Sequence, residues 1–186
     1  MRPAVFLDRD GTILDELGYL TPDAHLSIYP WSLDAIRLLR RAGFAIAVVT
    51  NQGGIGRGLY TREFVEETHR KLDERFRTAG ATVDGWYFCP HHAEALRPEF
   101  AGPCACRKPE PGMAHEAAKA LGLDLTRSWV VGDQWRDIAL GHAVGAQTVL
   151  VHTGHGRTQD DNWPPDVRRP TMVCDTLIAA ASAILR

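Results

Sequence analysis

Short runs that are apolar throughout recur along the chain, each followed by a stretch with helical spacing, and this alternation limits the fold more than any other feature. The runs are AVFLD (residues 4–8), FAIAVV (44–49), SWVVG (128–132) and QTVLV (147–151), with DGWYF (84–88) as a further strand. A strand with apolar residues on both sides is one covered on both faces. Between the runs, Leu33, Ile36 and Leu39 predict a helix over 32–41, and Phe64, Val65, Thr68, Leu72 and Phe76 predict another over 61–79. Further helices are predicted near 112–121 and 135–144, and a short strand at 171–173 precedes a closing helix at 175–185. Such alternation predicts right-handed βαβ units, a mainly parallel sheet and helices on both faces, which is a three-layer α/β fold. Residues 12–29, with Gly18 and Thr21-Pro22-Asp23, read as a loop or short hairpin, 89–110 as a Cys-, His- and Pro-rich loop, and 152–170 as irregular.

A chain of 186 residues with 45% apolar content can build a sizeable core, so one domain over 1–186 is expected. The net charge of −2 gives no global basic field, so no nucleic-acid partner is expected and the charge that meets an anionic ligand must be local. No run approaches the ~18 apolar residues of a membrane span. A removable leader would carry the first strand away with it. A cytoplasmic monomer with no membrane partner is therefore expected. Cys89, Cys104 and Cys106 are clustered rather than spread as a disulfide framework, and Cys174 reads as a small buried residue.

In a parallel sheet of this kind, ligands bind beyond the carboxyl ends of the strands. The polar signatures of this chain sit there. VFLDRDGTIL ends its apolar run in Asp8 and Asp10; Thr50 and Asn51 follow FAIAVV; Asp133, and four residues later Asp137, follow SWVV; Arg107-Lys108 close the cysteine loop. Arg9 alternates away from the two acids in an extended chain, so another group is expected to gather them. Hard carboxylate oxygens suit Mg²⁺, with Asp8 and Asp133 as the pair that would hold it. Asp8 can also attack phosphorus, and Asp10, on the same side, can protonate a leaving alcohol and then deprotonate water. Thr50, Asn51 and Lys108 are placed to hold phosphoryl oxygens. Taken alone, Asp10-Gly11 also reads as a turn and Asp133 as a helix cap.

Cys89, His91, Cys104 and Cys106 spell C-x-H-x12-C-x-C. Three thiolates and one imidazole make a closed tetrahedral Zn²⁺ set, structural because no position is left for water. His92 is an alternative ligand. The loop runs directly into Lys108, so the metal would also place that lysine.

FLDRDGTI, VVTNQ, the lysine of CRKP and VVGDQWRD occur in that order, and in them the chain resembles the haloacid-dehalogenase-like (HAD) phosphohydrolases. CPHH…CACRKPEPGM together with TNQGGIGRG resembles the heptose-bisphosphate and histidinol-phosphate phosphatase branch, over residues 4–155. The resemblance implies a Rossmann-like core without a large cap domain. It implies Mg²⁺-dependent hydrolysis of a small phosphorylated metabolite through an aspartyl-phosphate, with removal of the 7-phosphate of D-glycero-D-manno-heptose 1,7-bisphosphate. Histidinol phosphate is the alternative substrate; a nucleic-acid 3′-phosphatase and a non-catalytic scaffold are more distant alternatives. Carried over residue by residue, it implies Asp8 as nucleophile and Asp10 as acid/base. Asp8, the Asp10 carbonyl and Asp133 would hold Mg²⁺, Thr50, Asn51 and Lys108 the phosphate, and Arg107 would reach the substrate. Gly53, Gly56 and Gln134 depart from the serine, alanine and lysine of many such proteins, and the two glycines are expected to loosen the loop. Arg57 reads equally as a distal substrate contact or a solvated side chain. His152 and His155 read as plain loop residues, and the five tryptophans as packing.

Overall fold

The computed structural model describes residues 1–16, 18–19 and 26–186. Among these residues six parallel strands form one sheet: β1 (Ala4–Leu7), β2 (Ala45–Asn51), β3 (Gly85–Cys89), β4 (Trp129–Gly132), β5 (Gln147–Val151) and β6 (Met172–Cys174), in the order β3-β2-β1-β4-β5-β6. Among the described residues five α-helices connect them, α1 (Ser32–Arg41), α2 (Arg62–Thr78), α3 (Gly112–Leu121), α4 (Trp135–Ala143) and α5 (Gly156–Asp161), and a sixth, α6 (Leu177–Ile184), follows β6. The strand order reverses between β1 and β4, and that is where a crevice opens at the carboxyl ends.

The two-sided apolar runs are explained by two cores. Successive side chains of a strand point to opposite faces. Val5 and Leu7 of β1 and Ile46 and Val48 of β2 therefore pack with α1 (Ile36, Leu39), α2 (Leu72, Phe76) and α6 (Leu177, Ala180). Ala4, Phe6, Ala45, Ala47 and Val49 face the other way, onto Met113, Ala114 and Ala117 of α3 and Leu140 of α4. Local signals fix the helix ends. Thr61 caps α2 by accepting the Phe64 N–H at 3.2 Å, Thr176 caps α6 through the Ala179 N–H at 3.3 Å, and Gly122 ends α3 in the left-handed region at φ 65°.

The observed helices and strands follow the expected ones closely, with two differences that matter. β2 continues through Thr50 and Asn51, so these residues are the end of the strand rather than a loop behind it. The stretch read as irregular after β5 contains α5, a short polar helix. Its sequence, GRTQDD, has no apolar stripe, which is why periodicity does not reveal it. In the segment after β1, Leu14 and Ile28 form one antiparallel bridge, as a short hairpin would; the expected turn at Thr21-Pro22-Asp23 lies outside the described residues. No helix among the described residues is long and apolar enough to cross a membrane.

Asp84, just before β3, ties β2 and α1 to the chain start. Its carboxylate accepts from the Ile46 N–H at 2.8 Å and pairs with Arg2 at 2.9 Å and Arg40 at 2.5 Å. Burial disfavours its charge, but the Ile46 hydrogen bond and the two guanidiniums outweigh that and hold the carboxyl below its usual range. A lowered folded-state pKa contributes stability above the unfolded value, lost as pH falls through the folded one. D84A is expected to cost about 1–3 kcal/mol at pH 7. In urea unfolding the difference from wild type should shrink below about pH 3.9 as the wild-type carboxyl protonates.

Candidate active site

β1 ends at Leu7, and the chain leaves strand geometry at Asp8. Asp8, at the end of β1, and Asp133, at the end of β4, meet because these strands are hydrogen-bonded neighbours, with Leu7 level with Val131. Carboxylate oxygens of Asp8, Asp133 and Asp137 all lie within 4.8 Å of one another, and all three residues are buried. Lys108 sits among them. Its ammonium is 2.7 Å from Asp8 Oδ1 and 2.6 Å from Asp137 Oδ1, and donates to the Val49 carbonyl at 3.0 Å, so all three of its hydrogens are engaged.

Asp137 owes its place to α4. It is the third residue of that helix and forms a reciprocal capping box with Gln134, accepting the Gln134 N–H at 3.0 Å through Oδ2. Its other oxygen is left for Lys108. Asp133 is held by glycine. Its Oδ2 accepts the His155 N–H at 2.8 Å, and a Cβ at Gly11 (φ +77°) or Gly154 (φ +54°) would overlap its carboxylate. Its Oδ1 is fully buried with no hydrogen-bond partner among the described residues. On Asp8, the Arg9 N–H (2.8 Å) and Lys108 both fall on Oδ1, so Oδ2 has no protein donor among the described residues.

Three carboxylates thus share one ammonium out of water. Burial, then the charges of Asp8 and Asp137, raises the Asp133 carboxyl well above its ordinary range; burial first, opposed by Lys108, also raises Asp8. Burial works against the Lys108 charge, but Asp137 and Asp8 more than restore it. An orphaned hard oxygen on Asp133, a donor-free oxygen on Asp8 and an excess of negative charge are the donor set a Mg²⁺ ion fits.

A cavity of about 220 Å³ opens onto this cluster. Thr50, Asn51, Arg107, Lys108, Asp8 and Asp10 line it, which brings together the residues expected to meet the phosphate, the arginine expected to reach the substrate and the two acids of the first motif. Their bonding adds detail. The Asn51 side chain clamps the backbone of Lys108, accepting its N–H at 3.0 Å and donating to its carbonyl at 3.2 Å, with one amide hydrogen to spare. Thr50 Oγ1 accepts from Gln52 at 3.0 Å and keeps its own hydroxyl hydrogen. Arg107 donates to the His91 carbonyl at 2.7 Å.

The expectation that Arg9 points away from the acids is corrected. Because the chain turns at Asp8, the Arg9 side chain curls back, fully buried, and forks onto Asp10 with Nε–Oδ1 2.9 Å and Nη2–Oδ2 2.8 Å. The expected loosening at Gly53 and Gly56 is also corrected. A Cβ at Gly53 would come 2.8 Å from the His92 ring and one at Gly56 2.9 Å from the Pro90 carbonyl, so both glycines permit close packing against the cysteine loop. His155 serves the site through its backbone and lines the cavity, and His152 bridges Asp160 (3.1 Å) and Asp175 (3.3 Å). Glu16 and Tyr60, which fall in no motif, and Arg136, to which the motif reading gives no role, line the cavity too, and Arg136 donates to Gln134 at 2.9 Å. Arg57 donates to the Tyr19 hydroxyl at 2.7 Å.

The cysteine loop folds onto itself as a tetrahedron. Cys89 and Cys106 each lie 3.7 Å from Cys104, and His91 Nδ1 is 3.7 Å from Cys89 and 3.5 Å from Cys106. A tetrahedral Zn²⁺ with Zn–S ~2.3 Å and Zn–N ~2.05 Å has edges of about 3.8 and 3.6 Å. The donor set fits that ion. His92 is turned elsewhere, its Nδ1 accepting the Glu94 N–H at 3.0 Å.

Fold and site together define a class: a hydrolase on a three-layer α/β core, with an acid-rich centre at the sheet's switch point and no inserted cap among the described residues. Comparison with known proteins agrees. A HAD-hydrolase-like family model matches residues 105–180. The D-glycero-beta-D-manno-heptose-1,7-bisphosphate 7-phosphatase of Yersinia pestis is 42% identical over 166 residues, covering 88% of each chain. The crystal structure of a D,D-heptose 1,7-bisphosphate phosphatase from B. bronchiseptica, complexed with magnesium and phosphate, superposes with a TM-score of 0.82 at 32% identity, covering 100% of this chain and 98% of that one. That of the enzyme from Burkholderia thailandensis gives 0.72 at 31% identity, over 99% of both chains. The chain belongs to the HAD-like hydrolase family.

A carboxyl whose folded-state pKa is raised costs stability above its unfolded value, and the cost grows until pH passes the folded one. With divalent cations removed, D133N is therefore expected to be more stable than wild type at pH 7 by at least about 1 kcal/mol. The gain should vanish near pH 4, and thermal unfolding at the two pH values in chelator checks it.

Proposed function

We propose that this chain is a Mg²⁺-dependent phosphomonoester hydrolase that removes the 7-phosphate of D-glycero-D-manno-heptose 1,7-bisphosphate in the cytoplasm. The observation that carries the reading is the convergence of Asp8, Asp133 and Lys108 beside a cavity lined by Thr50, Asn51 and Arg107. The likeness to the Yersinia enzyme supports the substrate.

In this reading Asp8 Oδ2, the oxygen free of protein donors, attacks phosphorus. The bond from phosphorus to the sugar oxygen breaks, and Asp10 gives that oxygen its proton. The product is an aspartyl-phosphate and a free alcohol. Asp10, now ionised, takes a proton from water as the water oxygen attacks phosphorus, and inorganic phosphate leaves Asp8. The Thr50 hydroxyl, the spare Asn51 hydrogen and Arg107 hold the phosphoryl oxygens. Lys108, held against Asp8 by Asp137, follows the negative charge as it moves onto the phosphoryl group. Asp8, the Asp10 carbonyl and Asp133 would hold Mg²⁺, which when bound neutralises charge on both the carboxylates and the phosphate. Cys89, His91, Cys104 and Cys106 would hold a structural Zn²⁺.

D8N is expected to fold and to lose turnover by at least about 10³-fold. Phosphate release should be compared on heptose 1,7-bisphosphate, histidinol phosphate and a 3′-phosphorylated oligonucleotide; preference for either of the last two would replace the substrate assignment. Addition of Mg²⁺ should raise the melting temperature of wild type and leave D133N almost unmoved. Metal analysis of protein purified without chelator should find about one zinc per chain, and C106S should lose it together with several degrees of melting temperature.

A further inference from the structure

Arg9 is an arginine with no exposed surface, and its guanidinium reaches two groups among the described residues: the carboxylate of Asp10 and the ring of His69. An arginine folded back onto its immediate neighbour is not held in that pose by the neighbour alone. Its anchor outside the motif is His69 Nε2, 2.9 Å from Arg9 Nη1. His69 lies on α2, is itself buried, and has little freedom. Its ring stacks on Trp86 (4.9 Å between centroids, 27° between planes) and meets Phe88 edge-on (5.6 Å, 71°). Neither Arg9 nor His69 lines the cavity, whereas Asp10 does.

We infer that His69 is a positioning residue for the acid/base carboxylate, acting through Arg9 to fix the direction in which Asp10 presents its proton. This rests on the role of Asp10 proposed above. The two oxygens of Asp10 are not equivalent. Oδ2 accepts from both Arg9 Nη2 and Gln52 Nε2 (3.0 Å), whereas Oδ1 accepts, among the described residues, from Arg9 Nε alone. Oδ1 is the oxygen with a lone pair to spare. It releases its proton to the sugar oxygen as the bond from that oxygen to phosphorus breaks, and takes one from water in the second half. Arg9 offers only donors, so His69 must accept, which requires a neutral ring with Nε2 unprotonated. Burial, then the Arg9 charge, pulls the His69 pKa down to about 3, so the acceptor persists throughout the working range.

A purely architectural role would cost stability and slow every substrate equally. A role in presenting a proton depends on the leaving group. An alkoxide needs protonation as it departs; p-nitrophenolate leaves as a stable anion. The test is kcat/KM, which reports formation of the aspartyl-phosphate and not the hydrolysis step common to both esters, for wild type, H69F, H69Q and R9K on p-nitrophenyl phosphate and on the best alkyl phosphate of the substrate screen. H69F keeps a stacked ring but removes the acceptor, R9K keeps the charge but removes the fork, and H69Q offers an amide oxygen to Arg9 Nη1. H69F and R9K are expected to lower kcat/KM on the alkyl ester by about ten- to a hundredfold, and on p-nitrophenyl phosphate by less than about threefold. H69Q should recover most of the loss. Equal losses on the two esters, or no loss in H69F, overturn the inference. Where H69F does not fold, the same ratio is read in R9K: a selective loss on the alkyl ester supports the inference, and equal losses or none overturn it. If heptose 1,7-bisphosphate is not hydrolysed but another alkyl phosphate is, the substrate assignment fails and the ratio is still decided on that ester.

Discussion

An excess of buried negative charge is the constraint around which this molecule is arranged. Asp8, Asp133 and Asp137 crowd around a common point, and Lys108 is the cation among them. Charges that close in a site with little water repel strongly unless paired. The surrounding structure answers that repulsion at every point. The Arg9 N–H holds Asp8, the His155 N–H holds Asp133, and the helix cap at Gln134 holds Asp137. Gly11 and Gly154 withhold side chains where Asp133 must fit. The oxygens these contacts leave over, Oδ1 of Asp133 above all, are hard donors of the kind a divalent cation prefers.

The sheet brings these groups together without long side chains having to search for one another. All strands run the same way, so each presents its carboxyl end on one edge, and the reversal of order between β1 and β4 opens that edge as a crevice. Lys108 arrives by a different route. It follows the cysteine cluster by two residues, is clamped by Asn51 at the end of β2, and is flanked by Arg107, whose guanidinium is tied to the His91 carbonyl. The proposed Zn²⁺ would thus act on the reaction at a distance, by fixing the loop that delivers this buried ammonium.

Most of the architecture is legible in the sequence because the apolar runs are long enough, and their two faces distinct enough, to announce buried parallel strands. The candidate site is legible because its residues fall in short ordered motifs directly after those runs. What escapes does so for physical reasons. α5 has no apolar stripe, so periodicity cannot reveal it. The partner of Arg9 is hidden because alternation of side chains holds only while a chain stays extended, and this one turns at Asp8. Asp137 is visible as an acid four residues past Asp133, but its attachment to Lys108 depends on a capping box whose first member is a glutamine, outside the usual serine or threonine signature. His69 occupies a core-facing position of α2 between Val65 and Leu72, where a histidine reads as packing, and only the coordinates reveal that its ring nitrogen meets Arg9.

In the proposed reading two acids one residue apart carry different chemistry, and their partners do come from different parts of the fold. Asp8 belongs to a group with too few cations, completed from β4 and the cysteine loop. Asp10 belongs to another group: one carboxylate, one guanidinium, and a neutral imidazole supplied by α2. In the proposed reading the first group draws in a cation and a charged substrate, and the second becomes charge-balanced when Asp10 gives up its proton. Arg9 separates the two electrostatically while the backbone keeps them within reach of one phosphate ester. Burial and the neighbouring carboxylates push the Asp8 carboxyl upward against Lys108, so in the proposed reading Mg²⁺, when bound, would add to Lys108 in keeping Asp8 an anion able to attack phosphorus.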